Sequence, residues 1–312
     1  MAGTPGRAVV VGASGFLGSA LVTALEARGI PTTSFTRSFP ALGADNRPHP
    51  DLLDAETIFW TASTINPMIA ENEPARVEAD RDLLRSALTA LNLAKSSARF
   101  VQVSSGGTVY DPAASPPYAE DAPVAPKGAY GRAKLALERV IREVRPGSVV
   151  VRAANAYGAG QPLAPGQGVL GHWLRSARDG RAIQMYGAAS TSRDYVHVQD
   201  VASGLVAVHG RPEVPPVINL GSGRATTLAE LLDVIRDVCG DVGVEVHPAR
   251  SFDLERTWLD ISTARSVLGW VPQVCLREGI VDMWDWLRAN SACPSRMLKR
   301  ANVRMCVPSP RK

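Results

Sequence analysis

A tyrosine and a lysine four residues apart, in Tyr130-Gly131-Arg132-Ala133-Lys134, have side chains that could perform acid–base chemistry. A phenol holds its proton at neutral pH and is by itself a poor base. A neighbouring ammonium favours the phenolate, so this pair could exchange a proton with a substrate hydroxyl. Residues four apart lie on the same side of a helix, and apolar residues at helical spacing follow. The sequence therefore predicts a helix that begins near Tyr130 and presents both groups to one site.

Three glycines near the start of the chain could hold a phosphate. They follow the β-branched run Val9-Val10-Val11, and an amphipathic segment over 19–28 comes after them. This order predicts a buried strand, a tight turn and a helix, whose first N–H groups attract the pyrophosphate of a dinucleotide. A tight turn in another kind of α/β protein is the structural alternative. The predicted cofactor contacts are Gly12, Ser14, Gly15, Phe16, Leu17 and Gly18.

The sequence Thr36-Arg37-Ser38, at the end of a second predicted strand over 31–38, indicates which dinucleotide would fit. NAD-binding proteins usually have a carboxylate at this point, where it binds the adenosine ribose hydroxyls. A guanidinium between two hydroxyls could instead bind a 2′-phosphate. We therefore predict a preference for NADP over NAD through Arg37. The alternative is a surface arginine in a protein that binds NAD through other contacts.

Short apolar strands alternate with longer helices in the first half of the chain. Further strands are predicted at 57–63 and 99–104, with a helix over 71–93 between them and mostly loop over 39–56. This alternation predicts an α/β protein with a Rossmann-like, doubly wound parallel sheet. Ligands bind at the carboxyl ends of parallel strands, so Thr61 and Ala62 are expected beside the glycine turn as further cofactor contacts.

These motifs together resemble the extended short-chain dehydrogenase/reductase superfamily and, more narrowly, its nucleotide-sugar branch, the NAD-dependent epimerase/dehydratase family. The glycine turn and Tyr130-x-x-x-Lys134 carry the resemblance. Four later stretches are similar to family signatures, and the similarity extends over about 7–287. So many linked motifs in the right order rarely coincide by chance. The four stretches are 150–158, 193–201, 219–223 and 264–272.

The resemblance implies a smaller C-terminal substrate-binding lobe beside the dinucleotide-binding domain. We expect residues 1–151 to form the first domain, with a segment at about 194–212 returning to it. Residues 152–193 and 213–290 would then form a lobe that binds a nucleotide sugar, with the site in the cleft between the lobes. The resemblance also implies a homodimer.

The resemblance further implies hydride transfer between a nicotinamide and a sugar carbon, most often C4. Tyr130 would be the general acid/base, and Lys134 would also hydrogen-bond the nicotinamide ribose. A preference for NADP(H) favours net reduction of a nucleotide-linked 4-keto-(6-deoxy) sugar, because a reductase consumes NADPH. The alternative is an NDP-sugar 4-epimerase, similar to UDP-glucose 4-epimerase, that retains NAD. A non-catalytic dinucleotide-binding sensor or scaffold is a rival of another class.

Gly106 departs from the family pattern. The position four before the tyrosine of Val109-Tyr110 usually carries Ser or Thr, whose hydroxyl orients the reacting oxygen. Either Ser105 or Thr108 must supply that hydroxyl here, and the sequence leaves both open.

The resemblance also assigns side chains to the substrate. Asn155 would hydrogen-bond it, and Arg193 and Arg250 would bind its diphosphate through charge-assisted hydrogen bonds. Arg256 competes with Arg250 for this role. For each arginine the structural alternative is a surface salt bridge, for example between Arg193 and Asp194.

The segment between Arg37 and Thr57 is a second departure. The family normally has a further strand there, ending in an Asp–hydrophobic pair near the adenine. This segment is too short for the usual unit, and Asp51-Leu52 is a poor candidate for the pair. The sequence therefore leaves the adenine contacts open.

Composition bounds the remaining possibilities. The 312 residues are 45% hydrophobic and 21% charged, with no membrane-length apolar run and no signal peptide, so a cytoplasmic globular protein is expected. Six of the 34 basic residues lie in 291–312, which has no acid, so we predict a basic, poorly ordered tail and no nucleic-acid partner. The four cysteines and five histidines follow no ligand spacing, which predicts free thiols and no metal site.

Overall fold

The structure is a computed structural model that describes residues 6–163, 168–250 and 254–290. Its elements alternate between strands and helices along the first half of the chain. They are β1 (Ala8–Val11), α1 (Phe16–Glu26), β2 (Thr32–Phe35), α2 (Pro50–Leu53), β3 (Thr57–Trp60), α3 (Pro67–Asn72), α4 (Pro74–Leu93), β4 (Arg99–Ser105), α5 (Ala129–Val144) and β5 (Val149–Ala153).

The second half of the chain has shorter strands. Its elements are β6 (Asn155–Tyr157), α6 (Val169–Arg178), β7 (Ile183–Tyr186), β8 (Ser192–Arg193), β9 (Tyr195–His197), α7 (Val198–Val208), β10 (Val217–Leu220), β11 (Thr226–Thr227), α8 (Leu228–Cys239), β12 (Val244–His247), β13 (Arg256–Thr257), a π-helix (Ala264–Leu268) and α9 (Leu276–Ala289).

A parallel six-stranded sheet lies at the centre, with the strand order β10-β5-β4-β3-β1-β2. Every residue of β1, β3 and β5 is buried, as expected for a parallel sheet covered on both faces. Helices α1 and α7 pack on one face, and α4 and α5 pack on the other. The prediction of an α/β, doubly wound, Rossmann-like sheet is confirmed.

The helix predicted over 71–93 is two helices. Helix α3 ends at Asn72, and α4 begins at Pro74 after the non-helical Glu73. Proline has no N–H to continue a helix but fits the first helical turn, so Pro74 separates the two. The apolar periodicity alone did not show this break.

A separate buried cluster lies among the later elements. Helices α6, α8 and α9 surround Trp173, Leu231 and Ile280, and β7 pairs in parallel with β12. Strand β10 lies within the range 213–290, which the sequence predicts to be part of the substrate lobe. In the structure it is an edge strand of the central sheet. The division of the chain into two lobes stays a prediction.

Strand β2 is the other edge of the central sheet, and it pairs only with β1. Between β2 and β3 the chain forms an isolated bridge, Leu42 with Pro48, and the four-residue helix α2. The Asp51 carboxylate on α2 accepts a hydrogen bond from Thr33 at 3.1 Å and lies 3.6 Å from Arg7. Arg7 precedes β1, so Asp51 lies towards the end of the sheet opposite the glycine turn.

Among the described residues, no helix is long and apolar enough to cross a membrane. The same residues include no group of three His, Cys, Asp or Glu side chains that could hold a metal ion. Cys239 and Cys275 have free thiols. Cys293, Cys306 and the basic segment 291–312 lie outside the described residues.

A buried ion pair joins α5 to the sheet. Glu138 on α5 is fully buried, and both its oxygens accept hydrogen bonds from Arg152 on β5, at 3.1 and 2.8 Å. Ser104 on β4 donates to the same carboxylate at 2.6 Å, and the Arg152 guanidinium lies 4.9 Å from the centre of the Tyr110 ring. Glu138 is one helical turn beyond Lys134 and two beyond Tyr130, so this pair fixes the helix that carries both.

We expect Glu138→Gln to lower the free energy of unfolding by about 3 kcal/mol, because it leaves the buried Arg152 guanidinium without its counter-charge. Urea denaturation would measure the change. Glu143→Gln on the same helix is the matched control, since Glu143 is 62% exposed and pairs with Arg85 at the surface. Its effect should stay below about 1 kcal/mol. Equal effects of the two substitutions would contradict the anchoring role of Glu138.

Candidate active site

The glycine turn is held against the end of β2. The N–H groups of Gly12 and Ala13 both donate to the carbonyl oxygen of Phe35, at 2.9 and 3.0 Å. Gly12 has a φ of +92°, and a Cβ there would lie 2.6 Å from the backbone nitrogen of Ala62. A Cβ on Gly18 would collide with the carbonyl oxygen of Gly12. The turn therefore accepts only glycine at these two positions, and its backbone stays open to a ligand.

Thr61 and Ala62 lie beside this turn. The N–H and the hydroxyl of Thr61 both donate to the carbonyl oxygen of Val11, each at 2.9 Å. Helix α1 then begins at Phe16 with no side-chain cap from any described residue. Its first N–H groups are available to an anion, which fits the pyrophosphate of a dinucleotide.

Tyr130 and Lys134 lie together on the first two turns of α5. The Lys134 ammonium is 5.5 Å from the centre of the Tyr130 ring, and Lys134 is only 6% exposed. Its Nζ makes no hydrogen bond or ion pair with any residue in the described part of the chain. A buried ammonium without an acceptor is costly, so Lys134 fits a site where a ligand such as the ribose of a dinucleotide supplies one.

Tyr130 lines a cavity of about 700 Å³, large enough for a sizeable organic ligand. The cavity also contacts four of the predicted site residues, which come from different elements. They are Thr108, Asn155, Arg193 and Arg250.

Of the two candidate hydroxyls, Thr108 lines this cavity and Ser105 does not. The Thr108 hydroxyl donates to Ser105 Oγ at 2.9 Å, so Ser105 orients Thr108. A Cβ on Gly106 would lie 2.6 Å from a methyl carbon of Leu259, whose side chain is buried. Glycine at position 106 is thus required by the packing of Leu259 in this structure.

Asp194 is buried, and both oxygens of its carboxylate accept hydrogen bonds from neighbouring residues. One carboxylate oxygen accepts from the backbone and hydroxyl of Ser222 at 2.7 and 2.6 Å, and the other accepts from the backbone of Gly223 and Leu259. Burial raises the pKa of Asp194, and these donors oppose the rise. Within the described ranges no ion pair links Arg193 to Asp194.

Asn155 is aligned with the same segment. Its backbone N–H and its side-chain amide both donate to the carbonyl oxygen of Asp194, at 3.0 and 2.9 Å. The side chain therefore has a fixed position on the cavity wall, next to Gly107.

The structure distinguishes between the two candidate arginines for the diphosphate contact. Arg250 lines the cavity, and its guanidinium lies 4.0 Å from the centre of the Tyr186 ring. Arg256 stacks on Trp258 at 5.2 Å and does not line the cavity. Tyr186 in turn stacks on His247 at 4.9 Å. Sequence reasoning missed Tyr186 and His247, because their pairing depends on the register of β7 and β12.

Two further cavity residues were missed. Gln161 and Tyr195 are buried and line the cavity, yet Gln161 Oε1 and the Tyr195 hydroxyl have no hydrogen-bond partner among the described residues. Burial also raises the pKa of Tyr195. Such unpaired atoms are costly without a partner, so both are candidates to contact a ligand. Tyr195 lies in the 193–201 stretch, whereas nothing in the sequence distinguished Gln161.

Arg37 is exposed at the end of β2, next to the glycine turn. No residue in the described part of the chain hydrogen-bonds or pairs with its guanidinium. The hydroxyls of Thr36 and Ser38 lie 3.0 Å apart beside it. Arg37 is therefore available to a phosphate at the position where the sequence predicted one.

The family model "NAD dependent epimerase/dehydratase family" matches residues 8–221. This chain belongs to that family. The resemblance inferred from the motifs is confirmed.

Two relatives match nearly the whole chain. The dTDP-6-deoxy-L-talose 4-dehydrogenase (NAD(P)(+)) of Kitasatospora kifunensis is 32% identical, over 93% of this chain and 97% of that protein. The UDP-glucose 4-epimerase of Mycolicibacterium smegmatis is also 32% identical, over 91% and 99%. The structure is similar to that of MoeE5 in complex with UDP-glucose and NAD, with a TM-score of 0.80 and 26% identity, over 92% of this chain and 100% of that one.

We expect Gly106→Ala to lower the free energy of unfolding by about 1–3 kcal/mol, because the added methyl group meets the Leu259 side chain. The neighbouring Gly107→Ala is the control: its Cβ would lie 3.4 Å from the Asn155 amide and needs little adjustment. Thermal and urea unfolding of both variants would check this. Full stability of Gly106→Ala would show that Leu259 does not restrict position 106.

Proposed function

We propose that this chain reduces the C4 ketone of a nucleotide-linked 4-keto-(6-deoxy) sugar with NADPH. One observation carries the proposal: Tyr130, with the buried Lys134 ammonium beneath its ring, opens into the same cavity as Thr108 and Asn155. A phenol, an ammonium and a second hydroxyl around one space suit proton transfer to a carbonyl oxygen.

The residues divide this chemistry between them. A dinucleotide with its pyrophosphate on the glycine turn would supply the hydride from its nicotinamide to the ketone carbon. The Tyr130 hydroxyl gives its proton to the carbonyl oxygen as that oxygen gains negative charge. The Thr108 hydroxyl, which donates to Ser105 Oγ in the structure, would turn its proton to the same carbonyl oxygen and accept a hydrogen bond from the Ser105 hydroxyl instead. The ketone thereby gains one hydride and one proton and becomes an alcohol.

The charge of the cavity supports an anionic substrate. Among the described lining residues, five carry Lys or Arg side chains and one, Glu71, carries a carboxylate. Two of the five, Arg175 and Arg181, form ion pairs with Asp179. Arg193 and Arg250 would bind the diphosphate, because guanidinium groups pair well with phosphate oxygens. A nucleoside diphosphate sugar is the substrate class that combines this charge with a sugar near Tyr130.

Arg37 supports NADPH as the reductant. Its guanidinium, exposed next to the glycine turn, could bind the 2′-phosphate that distinguishes NADPH from NADH. A carboxylate at this position would repel that phosphate. The 32% identity to an NAD(P)-dependent 4-dehydrogenase favours the same reaction class.

A 4-epimerase is the second candidate, and the equally high identity to a UDP-glucose 4-epimerase favours it. The same tyrosine would remove and return a proton, with no net consumption of the dinucleotide. The two reactions therefore use the same side chains and differ in whether the cofactor is released.

The reaction type can be tested directly. We expect purified protein with NADPH and a nucleotide-linked 4-keto-6-deoxy sugar to lose absorbance at 340 nm in proportion to the alcohol formed. Epimerisation of a nucleotide sugar by protein that holds NAD, without loss of NADPH, would reverse the ranking.

We expect Tyr130→Phe to lower kcat by about 10²-fold or more, because no other group replaces its proton. Binding of NADPH, measured by calorimetry, should remain within about twofold, so that the loss is one of chemistry. Turnover near that of the unmodified protein would show that Tyr130 is not the acid.

The roles of the Thr108 and Ser105 hydroxyls can also be distinguished. Thr108→Val keeps the shape of the side chain and removes the hydroxyl from the cavity, so kcat should fall by about tenfold or more. Ser105→Ala leaves Thr108 in place and should have a smaller effect. Kinetics of both variants would decide between them, and a larger loss for Ser105→Ala would assign the substrate contact to Ser105.

A further inference from the structure

An aromatic cluster that the proposed chemistry does not use lies at the end of β2. Its members are Phe35, Phe39 and His49. The rings of Phe35 and Phe39 are stacked, with centres 5.1 Å apart and an angle of 16° between their planes. The His49 ring meets both edge-on, at 5.1 and 5.4 Å. Phe35 is fully buried, whereas Phe39 is 48% exposed.

This cluster lies beside the glycine turn. The carbonyl oxygen of Phe35 accepts the two hydrogen bonds that hold the turn, from Gly12 and Ala13. Phe35 also belongs to the buried cluster against which Ala62 packs. The exposed Phe39 ring, stacked on Phe35, is therefore at the same edge of the sheet as the predicted cofactor contacts.

The position of Phe39 is fixed by a tight turn. The N–H of Thr36 donates to the Phe39 carbonyl oxygen at 2.9 Å, and the N–H of Phe39 points back to the Thr36 hydroxyl at 3.3 Å. Arg37 lies within this turn. The His49 ring is also held in place, because its Nδ1 accepts a hydrogen bond from the N–H of Asp51 at the start of α2. A ring fixed in this way loses little freedom when a ligand covers it.

The segment 36–56 lacks the strand that the resemblance implies beside an adenine. Strand β2 is an edge strand, with no further strand beyond it in the fully described segment 36–56. Asp51, the poor candidate for an adenine contact, is engaged with Thr33 and Arg7 towards the opposite end of the sheet. Adenine needs another surface here.

We propose that the exposed ring of Phe39 binds the adenine of the dinucleotide by stacking. The inference rests on the part of the proposed function that places a dinucleotide on the glycine turn. Adenine has a broad apolar face, and stacking on an aromatic side chain contributes strongly to the binding of a base. Arg37, two residues earlier, binds the 2′-phosphate of the same adenosine. One short turn, 36–39, thus recognises the whole adenosine 2′-phosphate.

Binding of three probes to the full-length chain tests this without any sugar present. NADPH and NADH both carry adenine, and reduced nicotinamide mononucleotide carries none. Calorimetry would compare the unmodified protein with Phe39→Ala, Phe39→Tyr and the control Val246→Ala. Val246 is a 69% exposed apolar side chain on β12, away from the glycine turn.

We expect Phe39→Ala to weaken the binding of NADPH and of NADH by the same factor, about tenfold. The affinity for the mononucleotide should be unchanged. Phe39→Tyr keeps the ring and should restore both affinities to within about twofold. Val246→Ala should bind all three probes normally. Arg37→Ala should weaken NADPH alone, which separates the phosphate contact from the adenine contact.

Unchanged dinucleotide affinity in Phe39→Ala would overturn the inference, and so would an equal loss of the mononucleotide, which would indicate a distorted turn. Failure of the proposed function looks different. In that case the dinucleotides still bind through Phe39, but no keto sugar is reduced. Conversely, sustained reduction of a keto sugar with no effect of Phe39→Ala on binding would reject only the adenine contact.

Discussion

The ion pair between Glu138 and Arg152 is the interaction on which the candidate site depends. Two charges removed from water are costly, and here they are stabilised by two mutual hydrogen bonds and a third from Ser104. These three residues belong to α5, β5 and β4, the elements that carry or immediately precede the reactive groups. A helix that slid by one turn along the sheet would bury an unpaired carboxylate. The pair therefore selects one position of α5.

The rest of the site follows from the edge of the sheet where the parallel strands end. Strands β1 and β3 bring the glycine turn next to Thr61, and β4 leads into Thr108. Asn155 is the first residue of β6, one residue beyond the end of β5, and its two hydrogen bonds to the Asp194 carbonyl oxygen align it. Reactive side chains that are far apart in the sequence thus meet because each comes just after a strand or at the start of a helix.

The sequence was sufficient for the class of the sheet, the glycine turn and the Tyr130–Lys134 pair, because buried strands and helices have periodic apolar patterns. It did not show that β10 joins the sheet as an edge strand. It could not choose between Ser105 and Thr108, since only tertiary packing determines which hydroxyl reaches the cavity. Gln161 and Tyr195 were missed for a similar reason: an unpaired buried atom is a property of the folded surroundings. Pro74 was visible, but the apolar repeat on both sides of it hid the break between α3 and α4.

The contact between Gly106 and Leu259 has a consequence for how this chain can vary. A hydroxyl-bearing residue at position 106, as in the usual family pattern, and a leucine at 259 compete for one volume. A side chain at position 106 is acceptable only beside a smaller residue at 259, so position 106 cannot change alone. An engineer who grafts a relative's serine into this loop must trim the distant leucine in the same step, and natural lineages would face the same paired choice.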